Sequence, residues 1–293
     1  MKSIFLILAL FSFDALAQVN RFWNNPGAYP ADLNRAWVET QGNCDRSNKA
    51  ALSIVKSRST TLSMEERGMP LSNILDLMMT MPNFPNVNSL DLRNAKFDDD
   101  DLNKLNQLAP RMTSVTDVYL GGSSVSDKRT LINLFLFNLA NKIQILDLSN
   151  MKLDESDTRM LGGVIASMKN LRVLYLSNNN FGDAAFDNLI NHSLNTLKKL
   201  QILGLSNNNL SSKSISRFAM SAMPQMTNLQ ILDLKGNEID AESTKKIIRT
   251  SLILPELAVL DLDSNLSPSG QKRITSFLKC STYSSGVFAD QVE

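Results

Sequence analysis

Apolar residues return along most of the chain at positions 1, 4 and 6 of a unit that restarts every 28 or 29 residues. Units begin at Val87, Val115, Ile143, Leu171, Leu200, Leu229 and Leu257, at intervals of 28, 28, 28, 29, 29 and 28 residues. A period this regular marks a stack of like supersecondary units. One step further back, at Ser59, a degenerate unit places Leu62, Met64 and Met69 in apolar slots and continues into the helix-like stretch "PLSNILDLMMTMPNFPN". Eight units result.

The spacing predicts each unit's local structure. Slots 4 and 6 alternate with slots 3, 5 and 7, so a short strand through them turns leucines to one side and the intervening residues to the other. Slot 9 holds asparagine at Asn179, Asn208, Asn237 and Asn265, and something else at Arg67, Ala95, Ser123 and Met151. An asparagine amide there can satisfy backbone groups that a turn leaves unpaired. The second half of each unit opens on a capping residue (Asp98, Asp154, Asp183, Ser211 or Asp240) and continues with apolar residues at helical spacing, such as Ile247, Ile248 and Leu252. Strand, turn and helix cannot bury their leucines alone, but a stack of them can.

This L-x-x-L-x-L-x-x-N-x-L pattern resembles the leucine-rich repeats, and the period with its helix-length second half is similar to the ribonuclease-inhibitor-like subclass. The resemblance runs from Ser59 to about Lys279. It implies an α/β solenoid: an open arc with parallel strands on the concave face and helices on the convex face. The expected organisation is a signal peptide at 1–17, an N-terminal cap at 18–58, eight repeats at 59–266, and a closing helix with tail at 267–293. The cap holds both tryptophans, Trp23 and Trp37, and the closing helix starts at Ser267 with Pro268 in its first turn. A last strand at "GVF" is a further option.

In such a stack the recurring leucines and asparagines serve the fold, which leaves the outward column of the strands to vary. Slot 5 reads Asp91, Tyr119, Asp147, Tyr175, Gly204, Asp233 and Asp261, and slot 3 becomes apolar in the later units, with Ile202 and Ile231 among them. A concave sheet face carrying Asp, Tyr and Ile suits a protein or peptide ligand. Asp91, Tyr119, Asp147, Tyr175, Ile202, Ile231, Asp233 and Asp261 are therefore the candidate ligand-binding residues. Gly204 either leaves a notch between Tyr175 and Asp233 or reflects drift. The competing readings are a merely solvated concave face, and a structural or envelope-associated spacer that meets partners through its convex helices or caps.

Composition narrows the alternatives. The net charge is +1 over 293 residues, so bulk electrostatics favours neither nucleic acid nor anionic membrane. His192 is the single histidine, which excludes a histidine-pair metal site and leaves a Ser-His-Asp arrangement without support. The run Asp98–Asp101 reads as acidic charge at a helix N-terminus rather than a calcium loop. No catalytic residue, metal or cofactor is expected, and the chain reads as a monomer. The cysteines, Cys44 and Cys280, fall beyond opposite ends of the stack and are expected not to bridge each other.

The first seventeen residues combine Lys2, an apolar run from Ile4 to Phe13 and the small-x-small ending Ala15-Leu16-Ala17. They are expected to direct the chain to a secreted or periplasmic location, with cleavage after Ala17 and no membrane insertion. N-terminal sequencing of the exported protein should begin at Gln18. An intact Met1 on exported protein would refute the cleavage.

Overall fold

The computed structural model describes residues 61–63, 71–80, 87–257 and 259–262. The proposed caps, both cysteines, both tryptophans, Asn265 and the "GVF" strand lie outside the described residues.

The strand-forming half of each unit builds one parallel sheet of eight strands in chain order. These are β1 (Thr61–Ser63), β2 (Ser89–Asp91), β4 (Asp117–Tyr119), β6 (Ile145–Asp147), β7 (Val173–Tyr175), β8 (Ile202–Gly204), β9 (Ile231–Asp233) and β10 (Val259–Asp261). A small second sheet pairs β3 (Lys96–Phe97) with β5 (Ser124–Val125). Every neighbouring pair in the main sheet matches slot to slot, as in Ser89↔Asp117, Ile145↔Val173 and Ile202↔Ile231. The sheet includes the degenerate first unit, whose Leu62 pairs in register with Leu90. The backbone ladder outlasts the strands: the slot-8 amides of Asn94, Gly122, Asn150, Asn178 and Asn207 each donate to the slot-7 carbonyl of the next unit, at 2.7 to 3.0 Å.

The helices return the chain. They are α1 (Leu71–Thr80), α2 (Asp99–Leu108), α3 (Lys128–Thr130) and α4 (Phe137–Leu139), then α5 (Glu155–Ser167), α6 (Gly182–His192), α7 (Ser212–Met220) and α8 (Ala241–Ser251). Between α3 and α4 the chain forms a π-helical segment, Leu131–Leu136. Its buried residues come as pairs at a strict four-residue spacing: Leu131 and Ile132, Phe135 and Leu136, then Leu139 and Ala140. On a helix of 3.6 residues per turn these pairs would drift away from the core, and the wider turn keeps them facing it.

Caps follow the expected chemistry in most units. Asp98 and Asp154 form reciprocal capping boxes with Asp101 and Asp157, and Asp127 and Asp240 also cap with their side chains. Two expected caps are corrected. Phe181 occupies the N-cap of α6, and Asp183 instead sits in its first turn. There its carboxylate accepts the Ser211 amide and hydroxyl, so Ser211 stands at the N-cap of α7 without capping it by its side chain.

One continuous apolar core runs between sheet and helices, taking in the slot-1, slot-4 and slot-6 residues of every unit from Val87 to Leu262. Its polar seam is the set of slot-9 asparagines. Asn208 shows the arrangement: its Oδ1 accepts the amides of Asn179 at 3.0 Å and Asn180 at 3.1 Å. Its Nδ2 donates to the carbonyls of Leu176 at 2.9 Å and Leu205 at 3.1 Å. Asn179 and Asn237 repeat this pattern, each tying its own turn to the preceding unit. Ser123 keeps a single such bond, donating to the Leu92 carbonyl at 2.8 Å.

Asparagine has a second task that the apolar pattern does not announce. Slot 8 lies in the left-handed region in every unit from Val87 to Leu229, occupied by Asn94, Gly122, Asn150, Asn178, Asn207 and Gly236. Slot 10 does so at Lys152, Asn180 and Asn209. Asparagine and glycine are the residues that tolerate this backbone. In "SNNN" the outer asparagines thus hold the turn's dihedrals while the middle one holds its hydrogen bonds.

Replacing Asn208 by alanine takes the acceptor from the Asn179 and Asn180 amides and one of two side-chain donors from the Leu176 and Leu205 carbonyls, and by the usual cost of unmet buried hydrogen bonds should destabilise the chain by about 2 kcal/mol or more. Asn209→Ala, exposed and strained only in its backbone, should cost about 1 kcal/mol. Urea unfolding of the two variants measures the difference. Equal losses would show that the buried bonds do not govern stability.

Candidate functional site

The register of the strands decides what shares the concave face. Because successive units match without offset, Asp91, Tyr119, Asp147, Tyr175, Gly204, Asp233 and Asp261 form one slot-5 column across the sheet. Ile145, Val173, Ile202 and Ile231 form the slot-3 column beside it. Adjacent members are one strand spacing apart, ~4.8 Å.

This face is not bare. Ile145, Val173 and Ile202 form a second buried apolar cluster, separate from the main core, against which Tyr119, Tyr175 and Ile231 pack. Tyr175 is mostly buried, and loss of water pushes its phenol well above the usual tyrosine range. Gly204 explains its position: a Cβ built there would stand 2.8 Å from Cδ1 of Tyr175 and 3.1 Å from Oγ of Ser177. The expected notch is therefore filled by the Tyr175 ring. It is a space for an intramolecular side chain.

The carboxylates also differ from a row of outward-projecting charges. Asp91 is 1% exposed and Asp147 3% exposed. Asp91 binds Arg93 through both oxygens, Nε to Oδ1 at 2.9 Å and Nη2 to Oδ2 at 2.7 Å. The Arg93 guanidinium in turn lies 5.6 Å from the Tyr119 ring centre. Asp147 folds back to accept the Ser149 amide at 2.9 Å and hydroxyl at 2.6 Å. Its carboxylate lies over Gly121, where an added Cβ would be 2.8 Å from Oδ2. Burial raises its pKa, opposed by the two Ser149 hydrogen bonds and by Arg93. Both aspartates sit low because a short side chain on a strand finds a partner two residues on along the same face.

Toward the other end the column opens. Asp233 and Asp261 are half-buried, and Asp261 pairs with Lys235. Asp233 accepts the Lys235 amide at 3.1 Å, while partial burial raises its pKa. The structure thus brings all eight sequence-selected residues to one face. Asp91 and Asp147 are internal, Ile202 is covered, and Tyr119, Tyr175, Ile231, Asp233 and Asp261 are partly accessible. Arg93 and Lys235 in slot 7 belong to the same surface and were not selected. Their signal in the sequence is that each stands two residues after a slot-5 aspartate.

His192 is exposed at the end of α6, its Nδ1 2.8 Å from the Asn188 carbonyl. In the run Asp98–Asp101, Asp98 and Asp101 serve the capping box, Asp99 accepts the Ser126 hydroxyl and Asp100 pairs with Lys104. Among the described residues no group of three or more His, Cys, Asp and Glu is placed to hold a metal ion. No helix among them is long and apolar enough to cross a membrane.

Residues 170–195 and 199–220 match the family model described as Leucine Rich Repeat. Similar solved structures include the tropomodulin C-terminal domain of Caenorhabditis elegans, at 16% identity and a TM-score of 0.43, covering 54% of this chain and 94% of that one. The actin-binding site 2 of leiomodin-1 is similar at 14% identity and a TM-score of 0.45, covering 53% and 89%. No curated protein matches the sequence.

The raised pKa of Asp147 has a defined sign. A carboxylate whose folded pKa is raised contributes most stability below the ordinary carboxylate range, and this is lost as pH rises through the folded value. Asp147→Asn keeps an oxygen for Ser149 and removes the charge. It should leave stability near pH 4 unchanged, raise the melting temperature near pH 7 by a few degrees, and flatten the pH profile between. Equal destabilisation at both pH values would instead make the carboxylate charge a structural requirement.

Proposed function

We propose that this chain, a leucine-rich-repeat solenoid, is an exported, non-catalytic module that binds a protein or peptide through the open end of its concave column. The observation that carries the reading is the contrast along slot 5. From Asp91 to Gly204 the face is closed on itself by Arg93, Tyr119, Ser149 and Tyr175. From Tyr175 to Asp261 it presents an aromatic edge, the partly buried Ile231 and two half-buried carboxylates. An aromatic and aliphatic centre with charged neighbours is the composition of a protein-binding surface.

The closed half serves the open half. Residues held by packing and hydrogen bonds present a fixed surface, which reduces the ordering cost of binding. The carboxylates at Asp233 and Asp261 suit a ligand with a basic residue, which would compete with Lys235 for Asp261. Export rests on the amino-terminal segment read above. The non-catalytic reading rests on the exposed, isolated position of His192.

The test is affinity capture from the native compartment with the full chain, followed by titration of the captured protein against purified variants. Asp233→Lys with Asp261→Lys should weaken binding at least tenfold, because it reverses both accessible charges. Arg159→Glu with Lys213→Glu, exposed on the helical side, should leave binding unchanged. The opposite outcome, loss through the helical side alone, would favour the spacer reading.

A further inference from the structure

The two rims of the solenoid differ in charge. One rim gathers the helix N-termini, and there carboxylates outnumber cations. The other gathers the helix C-termini and the loops returning to the strands, at residues 109–116, 140–145, 167–172, 192–201, 220–230 and 251–257. The first five of these loops hold no carboxylate, and the sixth holds only Glu256. Arg111 donates to the Met78 and Met79 carbonyls, and beside it the loops hold Lys142, Lys169, Arg172, Lys198 and Lys199. Among the described residues, none of these last five cations forms an ion pair.

Hydrogen bonds run along this rim and set the loops side by side. Lys142 donates to the Met112 carbonyl at 2.9 Å, Asn170 to the Asn141 carbonyl at 2.8 Å, and Lys199 to Oδ1 of Asn170 at 2.7 Å. Asn228 donates to the Lys198 carbonyl at 2.6 Å. The cations therefore form a row across successive units.

Aligned helix dipoles account for the sign of this charge, since each C-terminus favours a cation. They do not account for the apolar side chains beside it. Phe137, Met220 and Ile253 are 59%, 67% and 68% exposed, and each lies in the last turn of a helix or just past it. Met220 and Ile253 flank the bond from the Thr250 hydroxyl to the Ala219 carbonyl, at 3.0 Å. Phe137 precedes the cationic row, and Met220 and Ile253 follow it.

We infer that this rim docks on an anionic lipid surface, with the cations at the headgroups and the three apolar side chains reaching past them. A row of Lys and Arg with Glu256 as its single carboxylate, at the far end, matches a negatively charged leaflet. Phe137 stands alone toward one end of the rim and Met220 and Ile253 form a pair in adjoining units toward the other, rather than the large central cluster that a folded partner would bury. A fluid surface can take each of them separately. The rim is distinct from the concave face, so the two surfaces can be occupied together. The small net charge of the whole chain conceals the row because the opposite rim cancels it.

Flotation of the full chain with vesicles tests this, comparing phosphatidylcholine alone with phosphatidylcholine containing about a third phosphatidylglycerol. Binding should require the anionic lipid and decline as salt rises. Lys169→Glu, Arg172→Glu and Lys198→Glu together should lower partitioning at least tenfold. Met220→Ser with Ile253→Ser should lower it severalfold and remove the salt-resistant fraction. Circular dichroism melts of both variants should match the parent, because all five side chains are exposed. The Asp233→Lys, Asp261→Lys variant should bind vesicles fully, which separates this surface from the concave one. Absence of binding at low salt, equal binding to neutral vesicles, or undiminished binding by the charge-reversed variant would each overturn the proposal. Retention on heparin without flotation, lost on the same reversal, would overturn it in favour of a soluble polyanion.

Discussion

Everything in this molecule depends on one constraint: the inner side of the turn after each strand is buried, and its backbone groups must find partners without water. Asn179, Asn208 and Asn237 supply them, each with an oxygen that accepts two amides and a nitrogen that donates to two carbonyls of successive units. Because each side chain spans two turns, the bond that closes one unit also fixes its distance from the next. Register follows, and from register follows every column on the concave face.

Where slot 9 is not asparagine, the stack is held in other ways. Ser123 keeps one cross-unit bond, and Met151 is buried as an apolar residue while its amide is served by Asn179. The same region carries the π-helical segment, fitted to apolar pairs four residues apart. Strand register survives both departures, with Asp117 still opposite Ile145. The backbone ladder along slots 2 to 8 is continuous enough to tolerate the loss of side-chain bonds in these units.

The uniform direction of the units has a second consequence. All helices point the same way, so capping aspartates collect on one rim and cations on the other. The concave face lies between rims of opposite sign, and much of it is closed on itself: Arg93 holds Asp91 and covers Tyr119, Asp147 lies over Gly121, and Tyr175 lies over Gly204. What reaches solvent is a restricted set at the Asp233 and Asp261 end.

The sequence by itself determined the repeat, the parallel strands, the caps at Asp98, Asp154 and Asp240, and the membership of the slot-5 column, because each depends on local periodicity and residue chemistry. The left-handed slot 8 was equally legible as a position held by asparagine or glycine in every unit from Val87 to Leu229, though hidden behind the stronger leucine signal. Which of the column's residues face outward was decided only in the tertiary structure. Asp91 and Asp147 occupy the same slot as Asp233 and Asp261, yet the first two are buried and the others half-accessible. The difference lies in neighbours in the adjoining units: Gly121 leaves room for Asp147, and Gly204 for Tyr175. A strand position assigns a side chain to a face, but only the side chains stacked on either side decide whether it stands up or lies down.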